Sequence, residues 1–231
     1  MTHFSKALFQ EFIIKNHVVG FFENPIKLKS GRHSNWYVNW RNITNDAFLL
    51  DQLTDHLLHF LKEQWPQCDT LYGVPEGATK TAILTQFKWA KLHHCKNGSH
   101  VIAMGRSRPK EHGSANDKFF IGEPKGNVIV LEDTTTTGGS LIQTVDTLLD
   151  AHIHVIAAVS LTYRSEKRDD GLSVPEYFAK QYQGKIPFVS LSEGLDLLPD
   201  AIAAHLPDLK VIEGIKQEFI EYGTESLEIV G

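Results

Sequence analysis

Short apolar runs alternate along this chain with segments of helical periodicity. The clearest run, at positions 128–131, has four consecutive apolar residues and predicts a strand buried on both faces. Apolar residues then recur at helical spacing from position 141 to 149. Further strands are predicted at 70–74, 101–104, 155–161 and 188–191, and a helix at 78–92. Because strands alternating with helices form βαβ units, we expect an α/β fold, a doubly wound parallel sheet flanked by helices.

Two regions depart from this rhythm. Residues 26–40 alternate in polarity around a glycine and predict a β-hairpin outside the main sheet. Residues 107–126 are polar, lack periodicity and are too long for an ordinary connection, which predicts either a functional loop or a disordered segment. We expect one domain over 1–231, with a core at about 66–192. Residues 1–45 and part of the C-terminus, a terminal helix from about 213, would form a small N-terminal hood.

Composition narrows the classes of partner. The net charge of -5 argues against nucleic-acid or anionic-membrane binding, which needs a basic surface. The two cysteines provide neither a disulfide framework nor a paired metal spacing. No apolar run approaches the roughly 18 residues of a membrane span, and the first residues resemble no targeting peptide. We therefore expect a cytoplasmic protein that acts on small molecules.

The most informative stretch is VIVLEDTTTTGGS at 128–140. Ligands of open α/β sheets bind at the carboxyl ends of strands, where two carboxylates could accept hydrogen bonds from ribose hydroxyls. Backbone N–H groups at the start of the next helix suit a phosphate, and glycines allow it to approach closely. An N-cap with a threonine-rich loop and two exposed acids is the alternative. The predicted ribose 5-phosphate site comprises Glu132, Asp133, Thr134, Thr135, Thr136, Thr137, Gly138, Gly139 and Ser140.

This stretch lacks the glycine patterns of a P-loop or of a dinucleotide site. It resembles the phosphoribosyl pyrophosphate signature of type I phosphoribosyltransferases, in which two acids precede a Thr-Gly-rich loop. The resemblance implies a phosphoribosyltransferase that uses phosphoribosyl pyrophosphate as donor.

The predicted hairpin carries a second resemblance. Its run LKSGRHS at 28–34, followed by Trp36 and Tyr37, is similar to the N-terminal signature of orotate phosphoribosyltransferases. Orotate is a flat anion, so the cation of Lys29 and the aromatic face of Trp36 or Tyr37 would suit it. The alternative is an ordinary aromatic hairpin that packs on the core.

The run RSRPKEHG at 106–113 resembles the catalytic loop of the same enzymes. Its cations, Arg106, Arg108, Lys110 and His112, would neutralise the departing pyrophosphate. The resemblance implies that this loop completes the site of a neighbouring subunit, and hence a homodimer. The alternative is a solvated surface loop.

The remaining matches are shorter. Gly73, Val74 and Pro75 begin a run that resembles the family's pyrophosphate loop, and Arg164 matches, one residue out of register, an arginine that contacts orotate. The chain also departs from the family. Glu132 replaces the usual first aspartate, Ser107 a common second loop cation, and Glu76 and Gly77 a stretch in which many bacterial members have a lysine. The last two losses predict weaker donor binding, for which Lys80 would compensate in part.

Together these resemblances imply transfer of 5-phosphoribosyl to orotate, giving orotidine 5′-phosphate and pyrophosphate. They imply Mg²⁺ bound mainly through the donor's own oxygens, without a dedicated protein metal site. The implied catalytic residues are Lys110, Arg106, His112 and Asp133. Two alternatives remain open, a salvage phosphoribosyltransferase for a purine or another base, and a non-catalytic sensor of phosphoribosyl pyrophosphate.

Overall fold

The computed structural model of the protein describes residues 3–106 and 119–229. Its helices are α1 Lys6–Lys15, α2 Arg41–Thr44, α3 Ala47–Gln64, α4 Thr79–Leu92, α5 Gly139–Asp150, α6 Val174–Gln181, α7 Gly194–His205 and α8 Leu209–Tyr222. Its strands are β1 Val19–Lys27, β2 His33–Val38, β3 Thr70–Gly73, β4 Met104–Gly105, β5 Phe120–Ile121, β6 Val128–Thr135, β7 Val155–Tyr163 and β8 Phe188–Glu193.

A parallel sheet in the order β3-β6-β7-β8 forms the centre of the molecule. Strand β6 is apolar on both faces, as the sequence predicts. Ile129 and Leu131 pack against one core with α1, α3, α4, α7 and α8, whereas Val128 and Val130 face a second core with α5 and α6. Helices thus cover both faces of the sheet, which confirms the predicted α/β class.

A β-hairpin of strands β1 and β2 lies outside this sheet and packs on α8. It begins at Val19, earlier than the predicted 26–40. The irregular register between Phe21 and Ile26 interrupts the alternation on which that boundary rested. The turn 28–32 joins the two strands, so the signature run lies at the tip of the hairpin and continues into β2.

Two predicted elements are wrong in extent. The predicted strand 101–104 forms a ladder only at Met104–Gly105, which pairs with β5 in a separate two-stranded sheet. The side chain of Gln86 lies between this segment and β3, and its amide donates to the carbonyls of Asp69 and Val101. The terminal helix, predicted from about 213, begins at Leu209 and ends at Tyr222.

In the two ranges that the structure describes, no helix is both long enough and apolar enough to cross a membrane.

Candidate active site

A cleft opens at the carboxyl ends of β3 and β6, beneath the tip of the hairpin. It has two adjoining compartments with volumes of ≈660 and ≈590 Å³. The smaller compartment contains the acid pair and the turn before α5. The larger one extends toward α2, α4 and Arg106. Both are bordered by Lys29, Arg41, Val74, Pro75, Glu76, Gly77, Ser140 and Gln143.

The two carboxylates at the end of β6 lie in different surroundings. Burial raises the pKa of Glu132 from 4.5 to about 8, although a hydrogen bond of 3.0 Å from the Thr135 hydroxyl opposes this. Burial also raises the pKa of Asp133, against backbone N–H donors and the charges of Arg41 and Lys29. The pair is therefore a desolvated acceptor set whose charge a ligand would stabilise.

The turn between β6 and α5 forms an open cradle. Gly138 adopts a left-handed conformation (φ 74°) immediately before the helix. A residue with a side chain would be strained in this conformation. The first N–H groups of α5 and the helix dipole favour an anion at this point. The Thr137 carbonyl accepts a hydrogen bond of 2.6 Å from Arg168, which fixes the turn from outside.

The predicted phosphate residues do not all face the cradle. Thr134, Thr136, Thr137, Gly138, Gly139 and Ser140 border the smaller compartment. In the described part of the chain, the buried Thr134 hydroxyl has no hydrogen-bond partner. Thr135 lies beneath the turn, fully buried, and its hydroxyl supports Glu132. Its side chain therefore does not border the cleft, in contrast to its predicted place among the phosphate-binding residues.

Lys29 and Tyr37, two residues of the hairpin signature, both border the cleft. The ammonium of Lys29 donates a hydrogen bond of 2.7 Å to the hydroxyl of Ser140, which links the hairpin tip to the first turn of α5. Tyr37 borders the smaller compartment. A cation and an aromatic ring thus flank the space beside the acid pair.

Trp36 has no surface in the cleft, in contrast to its predicted place beside the base. Successive side chains of a strand point to opposite faces, so Trp36 is directed inward where Tyr37 is directed outward. Its side chain is fully buried, and its ring lies 3.8 Å from the guanidinium carbon of Arg164.

Arg164 borders the smaller compartment from below and is almost fully buried. Its guanidinium donates to Glu166 at 2.7 Å and to the Ser34 hydroxyl at 2.9 Å. Arg32, in the hairpin signature, donates to the other oxygen of Glu166 at 2.9 Å. Ser34 also donates to Glu218 of α8. Two signature residues therefore serve a buried ionic network beneath the cleft.

The loop after β3 borders both compartments through Val74, Pro75, Glu76 and Gly77. Gly73 does not border the cleft, because its α-carbon packs against the Ala78 carbonyl. The peptide bond between Pro75 and Glu76 is cis. The loop itself contains no basic residue before Lys80, which lies in the first turn of α4.

The predicted loop residues are only partly described. Arg106 borders the larger compartment together with Phe119. Ser107, Arg108, Lys110 and His112 lie outside the described residues.

Sequence reasoning missed Arg41, which borders both compartments. It begins α2, a single turn of four residues that leaves no periodic signal.

The described residues include no group of three or more His, Cys, Asp or Glu side chains that could hold a metal ion. Mg²⁺ commonly keeps several waters and binds through one or two carboxylates and substrate phosphates. The oxygens of Glu132 and Asp133, beside an anion cradle, fit that mode of binding.

Known proteins resemble this chain over most of its length. No protein-family model matches it. An orotate phosphoribosyltransferase of Bradyrhizobium sp. (strain BTAi1 / ATCC BAA-1182) is 32% identical over 189 residues, which are 77% of this chain and 90% of the relative. One of Rhodopseudomonas palustris (strain BisB5) is 31% identical over 194 residues, 80% of this chain and 92% of the relative. The solved orotate phosphoribosyltransferase of Francisella tularensis shares the fold, with a TM-score of 0.67, 21% identity and coverage of 94% and 100%.

Proposed function

This chain belongs to the orotate phosphoribosyltransferase family, and from that premise we propose the reaction that it catalyses. It is a pentosyltransferase that transfers the 5-phosphoribosyl group from phosphoribosyl pyrophosphate to a ring nitrogen of orotate. The products are orotidine 5′-phosphate and pyrophosphate, a step of pyrimidine biosynthesis. The observation that carries this proposal is the arrangement of one cleft, in which an acid pair, a helix N-terminus and the Lys29 ammonium converge.

The donor binds across the turn between β6 and α5. Its 5′-phosphate occupies the cradle of Thr134, Thr136, Thr137, Gly138, Gly139 and Ser140, where backbone N–H groups and hydroxyls donate to it. Glu132 and Asp133 accept hydrogen bonds from the ribose hydroxyls. Both carboxylates are desolvated, so hydroxyl donors stabilise their charged forms.

Orotate lies between the hairpin and the ribose. Lys29 neutralises the anion, and Tyr37 offers its ring face. Arg164 borders this space, but its donors toward Glu166 and Ser34 are already engaged. Arg164 therefore contributes positive charge to the space proposed for orotate, while its bonds to Glu166 and Ser34 hold its guanidinium in place.

Chemistry in this site consists mainly of positioning and charge neutralisation. The nucleophile is already present in orotate, so no residue of the chain is required to create one. As the bond from ribose to pyrophosphate breaks, positive charge grows on the sugar and negative charge on the leaving group. The acid pair lies on the sugar side and the cations of the larger compartment lie on the other.

Three further features belong to the proposal. Mg²⁺ would be held mainly by the donor's own oxygens, beside the carboxylates of Glu132 and Asp133, and would supply charge neutralisation of the diphosphate. Arg106, Lys110 and His112 act on the leaving group, from a loop that completes the neighbouring site of a homodimer. The enzyme is cytoplasmic, in keeping with two unpaired cysteines, one of them exposed.

Loss of orotate ultraviolet absorbance on adding phosphoribosyl pyrophosphate and Mg²⁺ tests the reaction. We expect fast, metal-dependent loss that collapses in Lys110→Ala. Mixing Lys110→Ala with Asp133→Asn, each inactive alone, restores activity if the loop serves a neighbouring site. Absence of turnover by well-folded wild-type protein would remove orotate as acceptor, and a screen of purine and pyrimidine bases would then decide between salvage and sensing.

A further inference from the structure

Arg41 is held on a rigid base. The preceding residue, Trp40, is buried, stacks on Phe9 at 5.7 Å between ring centroids, and donates from its indole nitrogen to the Thr162 hydroxyl at 3.2 Å. The backbone N–H of Arg41 donates to the Asn39 side chain at 3.2 Å. The start of α2 is therefore anchored to the core, and the position of the Arg41 α-carbon is fixed relative to the sheet.

The Arg41 side chain is exposed and borders both compartments of the cleft. Within residues 3–106 and 119–229, no hydrogen bond or ion pair engages its guanidinium group. Its charge is close enough to Asp133 to oppose the effect of burial on the pKa of that carboxyl group. Arg41 thus lies at the boundary between the acid pair and the larger compartment.

Two other cations that border the cleft have protein partners. The ammonium of Lys80 donates to the Asn45 side chain at 2.7 Å and to the Thr44 carbonyl at 3.2 Å, at the end of α2. Lys29 is bonded to Ser140. A side chain at position 77 would overlap the Asp133 carboxylate unless that carboxylate or the loop moved.

We propose that Arg41 binds the diphosphate of the donor and the pyrophosphate that leaves. This inference rests on the proposed function and extends it to a residue that no sequence resemblance had indicated. A guanidinium presents paired N–H donors that match two phosphate oxygens. Because α2 is anchored, the backbone that carries Arg41 need not move for this charge to act on the leaving group.

Calorimetric titration with Mg²⁺–pyrophosphate tests this directly, without relying on turnover. We expect binding about 10- to 100-fold weaker in Arg41→Gln, the usual loss for a charge-assisted hydrogen-bonded pair. Arg41→Lys keeps the charge but loses the paired N–H donors of the guanidinium, so we expect an intermediate loss of pyrophosphate affinity. Lys210→Gln, which removes an exposed cation on α8, serves as the matched control and binds pyrophosphate as the wild type does.

Parallel titrations with ribose 5-phosphate and with orotate complete the test. Both ligands bind Arg41→Gln and wild type alike if Arg41 serves the diphosphate. Unchanged pyrophosphate binding, an equal loss for ribose 5-phosphate, or a loss confined to orotate would each overturn the assignment. Failure of the wild type to consume orotate would instead overturn the proposed function, and the pyrophosphate titration would still decide the role of Arg41.

Discussion

The carboxylate of Asp133 lies directly against the α-carbon of Gly77, with no room for a β-carbon between them. The loop after β3 and the acid pair after β6 are thus in contact across neighbouring strands. This contact sets the distance between the acid pair and the loop that borders both compartments.

Gly77→Ala is therefore expected to displace Asp133 or the loop itself. Displacements of about 1 Å near reacting groups can cost about 100-fold in rate, so we expect kcat/KM for the donor to fall by one to two orders of magnitude. Steady-state orotate consumption measures the effect. Gly20→Ala is the matched control, because a β-carbon there makes only ordinary contacts, the nearest at 3.7 Å. Wild-type kinetics in Gly77→Ala would show that the contact does not position Asp133.

Glu132 predicts how the stability of the free protein depends on pH. Its pKa in the folded protein, about 8, is above the ordinary 4.5 because of burial. Its contribution to stability is therefore fully present below about pH 4.5 and is lost as the pH rises through 8. Between pH 6 and 8 we expect a loss of about 2 kcal/mol in the free energy of unfolding, or roughly 4 °C in Tm.

Glu132→Gln removes this titration and keeps the shape of the side chain. Thermal unfolding from pH 5 to 9 should show a flatter profile for the variant, with a higher Tm than wild type at pH 8. We also expect weaker donor binding, because the amide offers one acceptor oxygen and no charge. Parallel pH profiles for the two proteins would mean that the carboxyl group ionises normally in the folded state.

The central sheet could be predicted from the sequence, because strands covered on both faces have continuous apolar runs that a surface strand lacks. The segment 101–104 has such a run but forms almost no ladder. Nothing in its own residues shows that Gln86, fifteen positions before Val101, donates to the Asp69 and Val101 carbonyls. Tertiary hydrogen bonds of this kind depend on the packing of the whole fold.

The site was predictable where chemistry and position coincide, as in the acidic turn after β6. The hairpin was harder to predict, because Trp36 and Tyr37 both suit a planar ligand. The two differ only in which face of the strand each side chain occupies, which is the phase of the strand. That phase is set by the packing of β2 on α8. Arg41 carries no pattern at all, because its position depends on the burial of Trp40 and on a helix of one turn.

The buried network beneath the cleft predicts a contrast between two carboxylates that contact Arg32. Glu166 accepts from Arg32 at 2.9 Å and from Arg164 at 2.7 Å, and its side chain is only 4% exposed. Glu166→Gln leaves two buried guanidinium groups short of a counter-charge. Because removing one partner of a buried ion pair costs about 3–5 kcal/mol, we expect a loss of that order in the free energy of unfolding.

Asp169 is the matched control for Glu166. It accepts from Arg32 at 3.0 Å, but its side chain is 91% exposed. Surface ion pairs contribute about 0–1 kcal/mol, so Asp169→Asn should unfold in urea close to wild type. An equal loss in the free energy of unfolding for the two substitutions would show that burial of Glu166 adds nothing to its contribution to the network.

The bond from Lys29 to Ser140 predicts a division of effects between the two substrates. Lys29→Gln removes the cation that we propose neutralises orotate, and we expect KM for orotate to rise about 10- to 100-fold, as for the loss of a charge-assisted hydrogen bond. Ser140→Ala removes a hydroxyl of the cradle proposed to bind the 5′-phosphate, so it should raise KM for the donor more than KM for orotate. Lys27→Gln, an exposed cation on the same hairpin that does not border the cleft, should leave both constants unchanged. A rise in donor KM alone for Lys29→Gln would instead assign this lysine to the 5′-phosphate, since its observed partner lies in the first turn of α5.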